Sequence, residues 1–188
     1  MGGAYLSNPM AFLINTLFGL YILTFMLRFL LQLVRADFYN PLSQFLVKVT
    51  NPLLVPARRI IPGWGGLDVA SIAIMLILQM IAQTLVILVY GASFTFMTLL
   101  IMSIAQLVSL VLNIFFVTII IQVILSWVSP NSYNPVVGLL YSLSEPLLRP
   151  ARRLIPPIGG MDLSPIVVLI FIQLLQMLIL PPLQGLLR

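Results

Sequence analysis

Four long apolar runs, about residues 10–34, 67–90, 97–128 and 163–180, carry only two charged side chains between them, Arg28 and Asp68. At ~1.5 Å per residue, about 20 helical residues cross a hydrocarbon layer about 30 Å thick, so each run is a candidate membrane span. The third is longer than a crossing needs and is expected to tilt or project beyond the bilayer. Hydrophobic residues make up 61% of the chain and charged residues 7%, against roughly 25% charged in a soluble domain. So few charges cannot coat a globule this apolar, whereas a bilayer accepts it. The first run has no cationic stretch before it and is too long for a signal-peptide core, so it is expected to be a retained helix.

The runs alternate with a loop that occurs twice. Pro52-Leu53-Leu54-Val55-Pro56-Ala57-Arg58-Arg59-Ile60-Ile61-Pro62 and Pro146-Leu147-Leu148-Arg149-Pro150-Ala151-Arg152-Arg153-Leu154-Ile155-Pro156 lie 94 residues apart. Each continues into Gly-Gly-x-Asp, ending at Asp68 and Asp162, and 12 of the 17 aligned positions are identical without a gap. Tyr39-Asn40-Pro41 extends the register back against Tyr133-Asn134-Pro135. The chain therefore reads as an all-α membrane protein built from two tandem repeats. Repeat 1 spans 1–93 (spans about 10–34 and 67–90, loop 35–66), and repeat 2 spans 94–188 (spans about 97–128 and 163–180, loop 129–162).

Arg35, Lys48, Arg58 and Arg59 fall in the first long loop and Arg149, Arg152 and Arg153 in the second, while the turn near Gly91 has no Lys or Arg. Positive-inside bias puts both loops in the cytoplasm and both termini on the far side. Two spans per repeat give both repeats the same orientation, related by a pseudo-two-fold axis along the membrane normal rather than as an inverted repeat. Within the loops, Leu42, Phe45, Leu46, Val49 and Leu53, and later Val136, Leu139, Leu140 and Leu143, recur at helical spacing. They predict amphipathic helices at the headgroup boundary. Pro52 and Pro56 are expected to break the first of these and hold the arginines in a bend. The Gly-Gly pair permits a tight turn, and Asp68 and Asp162 are placed to cap the following spans.

Two readings of the Arg58-Arg59, Arg152-Arg153, Asp68 and Asp162 set follow. In one, the arginines anchor topology on anionic lipid headgroups and the aspartates are caps. In the other, arginine of one repeat pairs with aspartate of the other, forming a gate or anion-binding ring. A weaker signal lies in the spans. Arg28 and Gln32 share a helix face and map, 94 residues on, to Gln122 and Ser126; Gln79 maps to Gln173. Such positions either line a path for ions or water or hydrogen-bond the helices together. Gln83, Gln106, Asn113 and Gln176 have no polar counterpart and read as packing contacts.

Catalysis is disfavoured. With no Cys, no His and four carboxylates, the chain offers no His/Cys metal ligand set and no Ser-His or Cys-His pair. The Gly-Gly turn lacks the Lys-Ser/Thr of a phosphate loop. Trp64 and Trp127 fit interfacial belts. No cofactor and no nucleic-acid partner is expected, since the arginines lie beside spans.

Phe38-Tyr39-Asn40-Pro41, then Asn-Pro-Leu-Leu-x-Pro-x-Arg-Arg-x-Ile-Pro and Gly-Gly-x-Asp, with a degenerate second copy, resembles the YggT family of bacterial inner-membrane proteins. The resemblance covers nearly the whole chain. It implies two modules of a kind that shorter relatives of the YlmG branch carry singly, an inner-membrane location, and a link to osmotic-shock tolerance and potassium uptake. Relatives linked to cytochrome b haem attachment transfer poorly to a chain without His or Cys. Two functions follow as expectations: a homo-oligomeric transport- or channel-related protein, or a scaffold whose Arg-rich loops bind anionic lipid or recruit a cytoplasmic partner.

Overall fold

The computed structural model describes residues 3–128, 134–155 and 162–185, and within them six helices. They are α1 (Gly3–Leu33), α2 (Pro41–Ile60), α3 (Val69–Tyr90), α4 (Phe96–Val128), α5 (Pro135–Leu154) and α6 (Ser164–Gly185). Four of these, α1, α3, α4 and α6, are long and apolar enough to cross a membrane. Each matches one apolar run of the sequence. The 33 residues of α4 extend about 50 Å, well beyond the hydrocarbon thickness.

Local chemistry sets the boundaries. Asn40 Oδ1 accepts the Leu42 N–H at 3.0 Å and Asn134 Oδ1 accepts the Val136 N–H at 2.9 Å. Each caps a 20-residue amphipathic helix that opens with proline, which needs no donor at that position. Between α3 and α4, Gly91 closes α3 in the left-handed conformation at φ 66°, where a Cβ is disfavoured. Trp64 and Leu67 exchange both backbone hydrogen bonds, at 3.2 and 2.9 Å, around Gly65 and Gly66 with φ of 60° and 82°. Two consecutive positive φ values make the tight turn that the Gly-Gly pair was expected to permit. The second copy of that pair lies outside the described residues.

The expected break at Pro52 and Pro56 does not occur: α2 runs through both, and α5 runs through Pro146 and Pro150. The prolines are spaced four apart, so the two missing donors of each helix fall on one face. That face is exposed in both helices. The carbonyls deprived of partners therefore open onto water or headgroups instead of the core, which removes most of the penalty for interrupting the ladder.

Two cores hold the helices together. The larger joins Ile22, Phe25 and Leu30 of α1 to Leu54 of α2, Met75 of α3, and Leu139 and Leu143 of α5. The smaller joins Ile119 of α4, Leu148 of α5, and Val168 and Ile172 of α6. Helix α5 thus contributes to both.

The packing between halves is not the reciprocal set that a two-fold axis produces. Helix α4 packs on α3 and α1, and α5 packs on α1. The exchange-related pairs, α6 on α1 and α2 on α4, form no comparable interface among the described residues. A five-residue connection holds α3 against α4, and no such link ties α6 to α1. Phe45, the position matching buried Leu139, is accordingly 56% exposed.

Candidate functional site

The repeated loop elements of each half fold back on themselves. In the first half, Arg58 in the last turn of α2 donates to Asp68 through Nη2 at 2.6 Å and Nε at 3.4 Å. Asp68 also accepts from the Ser71 hydroxyl and N–H, capping α3. In the second half, Arg152 Nε donates to Asp162 at 2.8 Å and an Nη to Glu145 at 3.0 Å, while Asp162 accepts the Ser164 N–H at 2.9 Å. Each arginine pairs with the aspartate ten residues on, and among the described residues no ion pair joins the halves, so of the two readings the cross-repeat Arg–Asp ring is not formed. Arg59 and Arg153 are exposed and make no ion pair among the described residues.

The loops do touch, through a contact the sequence did not suggest. The side-chain N–H of buried Asn40 donates to the Pro135 carbonyl at 2.7 Å, tying the start of α2 to the start of α5.

Burial by itself would raise the carboxyl pKa of Asp68, but the Arg58 guanidinium and the Ser71 hydroxyl and N–H outweigh it and hold it below the ordinary range. Asp162 is lowered in the same way: burial opposes, and Ser164 and Arg152 prevail. The Arg152 pKa is raised, since the partners Asp162 and Glu145 overcome its partial desolvation.

The polar residues of the spans divide between several settings. Arg28 donates through one Nη to Thr50 Oγ1, Asn51 Oδ1 (2.9 Å) and the Val47 carbonyl (3.3 Å), pinning α2 to α1. The position matching Arg28 is Gln122, whose Oε1 accepts from Ser144, the position matching Thr50. One polar tie, made from different residues, therefore docks each amphipathic helix on the preceding span. Gln32 accepts from Arg58 at 3.2 Å, whereas its counterpart Ser126 bonds back to the Val123 carbonyl. Gln173 is partly buried in α6.

Among the described residues, two cavities have several polar side chains in their walls. One, about 720 Å³, lies between the end of α1, helix α2 and the 63–68 turn, and is lined by Arg28, Gln32, Arg35, Ser43, Arg58 and Asp68 among others. The other, about 380 Å³, lies at mid-span between α1, α3 and α4, with Asn15, Gln79, Gln106, Ser109 and Asn113 in its walls. Gln79 hydrogen-bonds Gln106 across it, and Gln176 of α6 reaches Asn113 at 2.8 Å. Asn15, Gln106 and Asn113 are exposed within candidate membrane spans. Gln122, Ser126 and Gln173 line neither cavity, so the symmetric polar set does not converge on one path. Gln83, read as a packing contact, is buried with both amide atoms unpartnered. Among the described residues no cluster of three or more metal-ligating side chains occurs.

Comparison with known proteins fits this paired arrangement. A family model described as CCB3/YggT matches twice, over residues 7–89 and 101–183, the same 94-residue step. The chain is 49% identical over 177 residues to the uncharacterized protein PA0392 of Pseudomonas aeruginosa, covering 93% of this chain and 90% of that one. It is 36% identical over 179 residues to the uncharacterized protein YggT of Escherichia coli K12, covering 95% and 93%. A shorter likeness, 40% over 55 residues, links it to the chloroplastic YlmG homolog protein 2 of Arabidopsis thaliana, covering 29% of this chain and 22% of that one. No solved structure matches it. With the model matched in both halves and relatives aligned along almost their whole length, the chain belongs to the CCB3/YggT family.

Proposed function

We propose that this is a non-catalytic, multi-pass protein of the bacterial inner membrane whose copies associate around the mid-span cavity to pass a small hydrophilic solute or ion. The fold is read as two copies of one span–amphipathic helix–span unit inserted in the same orientation, with α2 and α5 on the cytoplasmic face by positive-inside bias. The observation that carries the reading is the set of side-chain amides, Asn15, Gln106 and Asn113, exposed within candidate membrane spans around a cavity of about 380 Å³. Amides facing lipid are costly, and such residues normally face a protein neighbour or a wet cavity. The cavity is walled by α1, α3 and α4, and among the described residues α6 forms no comparable packing on α1 to roof it. A second copy supplies that roof. The donors are neutral amides, the kind of oxygen that replaces the hydration shell of a monovalent cation, in keeping with a role in potassium uptake and osmotic tolerance.

Flux of a potassium analogue into proteoliposomes is expected to exceed that into empty liposomes and to fall at least tenfold when Gln106 and Asn113 are both replaced by Leu. No flux above empty liposomes overturns transport. A second reading, a scaffold, is favoured by the outer faces of α2 and α5, where exposed Lys48, Arg59, Arg149 and Arg153 form no ion pair among the described residues. Replacing those four by Gln should then release a cytoplasmic partner without affecting flux.

A further inference from the structure

The cavity between α1, α2 and the 63–68 turn is cationic in a way that the second half of the chain does not repeat. Three guanidinium groups, Arg28, Arg35 and Arg58, line it against one carboxylate, Asp68. The matching positions of the second half are Gln122, Ser129, Arg152 and Asp162, and Glu145 replaces Asn51. One arginine there faces two acids. The fold does not require this difference, because neutral Gln122 docks α5 on α4 through Ser144 just as Arg28 docks α2 on α1 through Thr50. The charge of Arg28 exceeds what holding the helix needs.

Arg35 points the same way. It closes α1 with φ 53°, the one non-glycine residue at positive φ among those described, while the Ala36 N–H reaches back to the Leu31 carbonyl at 2.9 Å. Helices that end in this manner usually place glycine there, since a Cβ strains the left-handed conformation. An arginine is held at this strained position on the cavity wall, and strained residues of this kind cluster at ligand sites.

Donors remain available. Arg28 uses a single Nη for its three internal bonds, and Arg58 leaves its Nη1 unused. Among the described residues the Arg35 side chain has no hydrogen-bond partner. Guanidinium forks match phosphate oxygens in geometry as well as charge. A volume of about 720 Å³ is that of a small-molecule site, and Leu31, Leu46 and Val47 give it an apolar wall.

We infer that the first half carries a phosphate-binding site formed by Arg28, Arg35 and Arg58, for which the second half has lost the charge. The phosphate belongs either to an anionic lipid headgroup reached along the apolar wall or to a soluble phosphate.

The test uses full-length protein in nanodiscs, with Trp127→Phe leaving Trp64, on the 63–66 turn, as the single fluorophore. Inorganic phosphate is titrated in phosphatidylcholine nanodiscs in one arm, and phosphatidylglycerol is raised stepwise in the other. A saturable change of Trp64 emission is expected in at least one arm, and which arm responds identifies the source. Arg35→Gln should weaken it about tenfold, the loss of one charge-assisted contact. Arg35→Gly should do the same while relieving the backbone strain, so that lost binding cannot be attributed to misfolding. Arg188→Gln, which removes an arginine belonging to neither loop, should leave it unchanged. Absence of a saturable response in both arms, or equal weakening by Arg188→Gln, overturns the site.

Discussion

Gln83 illustrates how a single side chain departs from what its sequence position suggests. An amide in an apolar run reads as a contact between helices, yet both of its polar atoms are buried without a partner. Leaving such groups unmade costs roughly 1–3 kcal/mol. The matching residue of the second half is Met177, so Gln83→Met is expected to raise stability by about 1 kcal/mol, seen as a higher thermal midpoint in detergent. The two Arg–Asp pairs should also differ. Asp68 is buried beneath Arg58, with a side chain only 5% exposed, while Asp162 is 40% exposed. Arg58→Ala strands a buried carboxylate and should cost about 2 kcal/mol, whereas Arg152→Ala should stay within ~1 kcal/mol. Equal losses in chemical denaturation would contradict this reading of their burial. The sequence exposed both arginines through their repetition. It could not reveal which aspartate each would meet, because that depends on how the turn between them closes.

The four spans were legible in the helices because an apolar run of membrane length has one stable backbone solution. The amphipathic helices were legible in their spacing but not in their extent, since the prolines looked like terminators until their shared exposed face was known. Because α2 continues through them, Pro52→Ala and Pro56→Ala should each restore a ladder hydrogen bond and raise the thermal midpoint, by roughly 1 kcal/mol or more of stability. A bend required by the fold would give the opposite sign. At the end of each amphipathic helix the closure onto the next span depends on an ionised aspartate. Both carboxyl groups titrate below their ordinary values, so the folded protein binds those protons less readily than the unfolded chain. Their contribution is complete above the ordinary carboxylate value of about 3.9 and is lost as pH falls through the lowered native values. Thermal midpoints should therefore drop on acidification in that window. Asp68→Asn should be less stable at neutral pH and show a flatter acid limb.

For the molecule as a whole, comparing the halves by residue offset was informative about the loops and misleading about the spans. Gln106, Asn113 and Gln176 were set aside for want of a polar counterpart, yet Gln106 and Asn113 line the mid-span cavity and Gln176 hydrogen-bonds Asn113 in its wall. Their role depends on α3 leaning against α4 without a reciprocal α6–α1 contact, a tertiary asymmetry that no pairwise alignment of the halves contains. Pairs of cysteines placed on the lipid-facing sides of α1 and α6 should cross-link between copies in native membranes if that gap is filled by a neighbour. Exclusively intramolecular links would mean that it closes within one chain. The hydrogen bond from Asn40 to the Pro135 carbonyl bears on how such proteins are made. During synthesis the first half waits, its Asn40 amide and the α1 surface that receives Leu139 and Leu143 uncovered, until the second half emerges from the ribosome. A chain carrying one copy of the unit would have to obtain the same cover in trans, from a sister molecule.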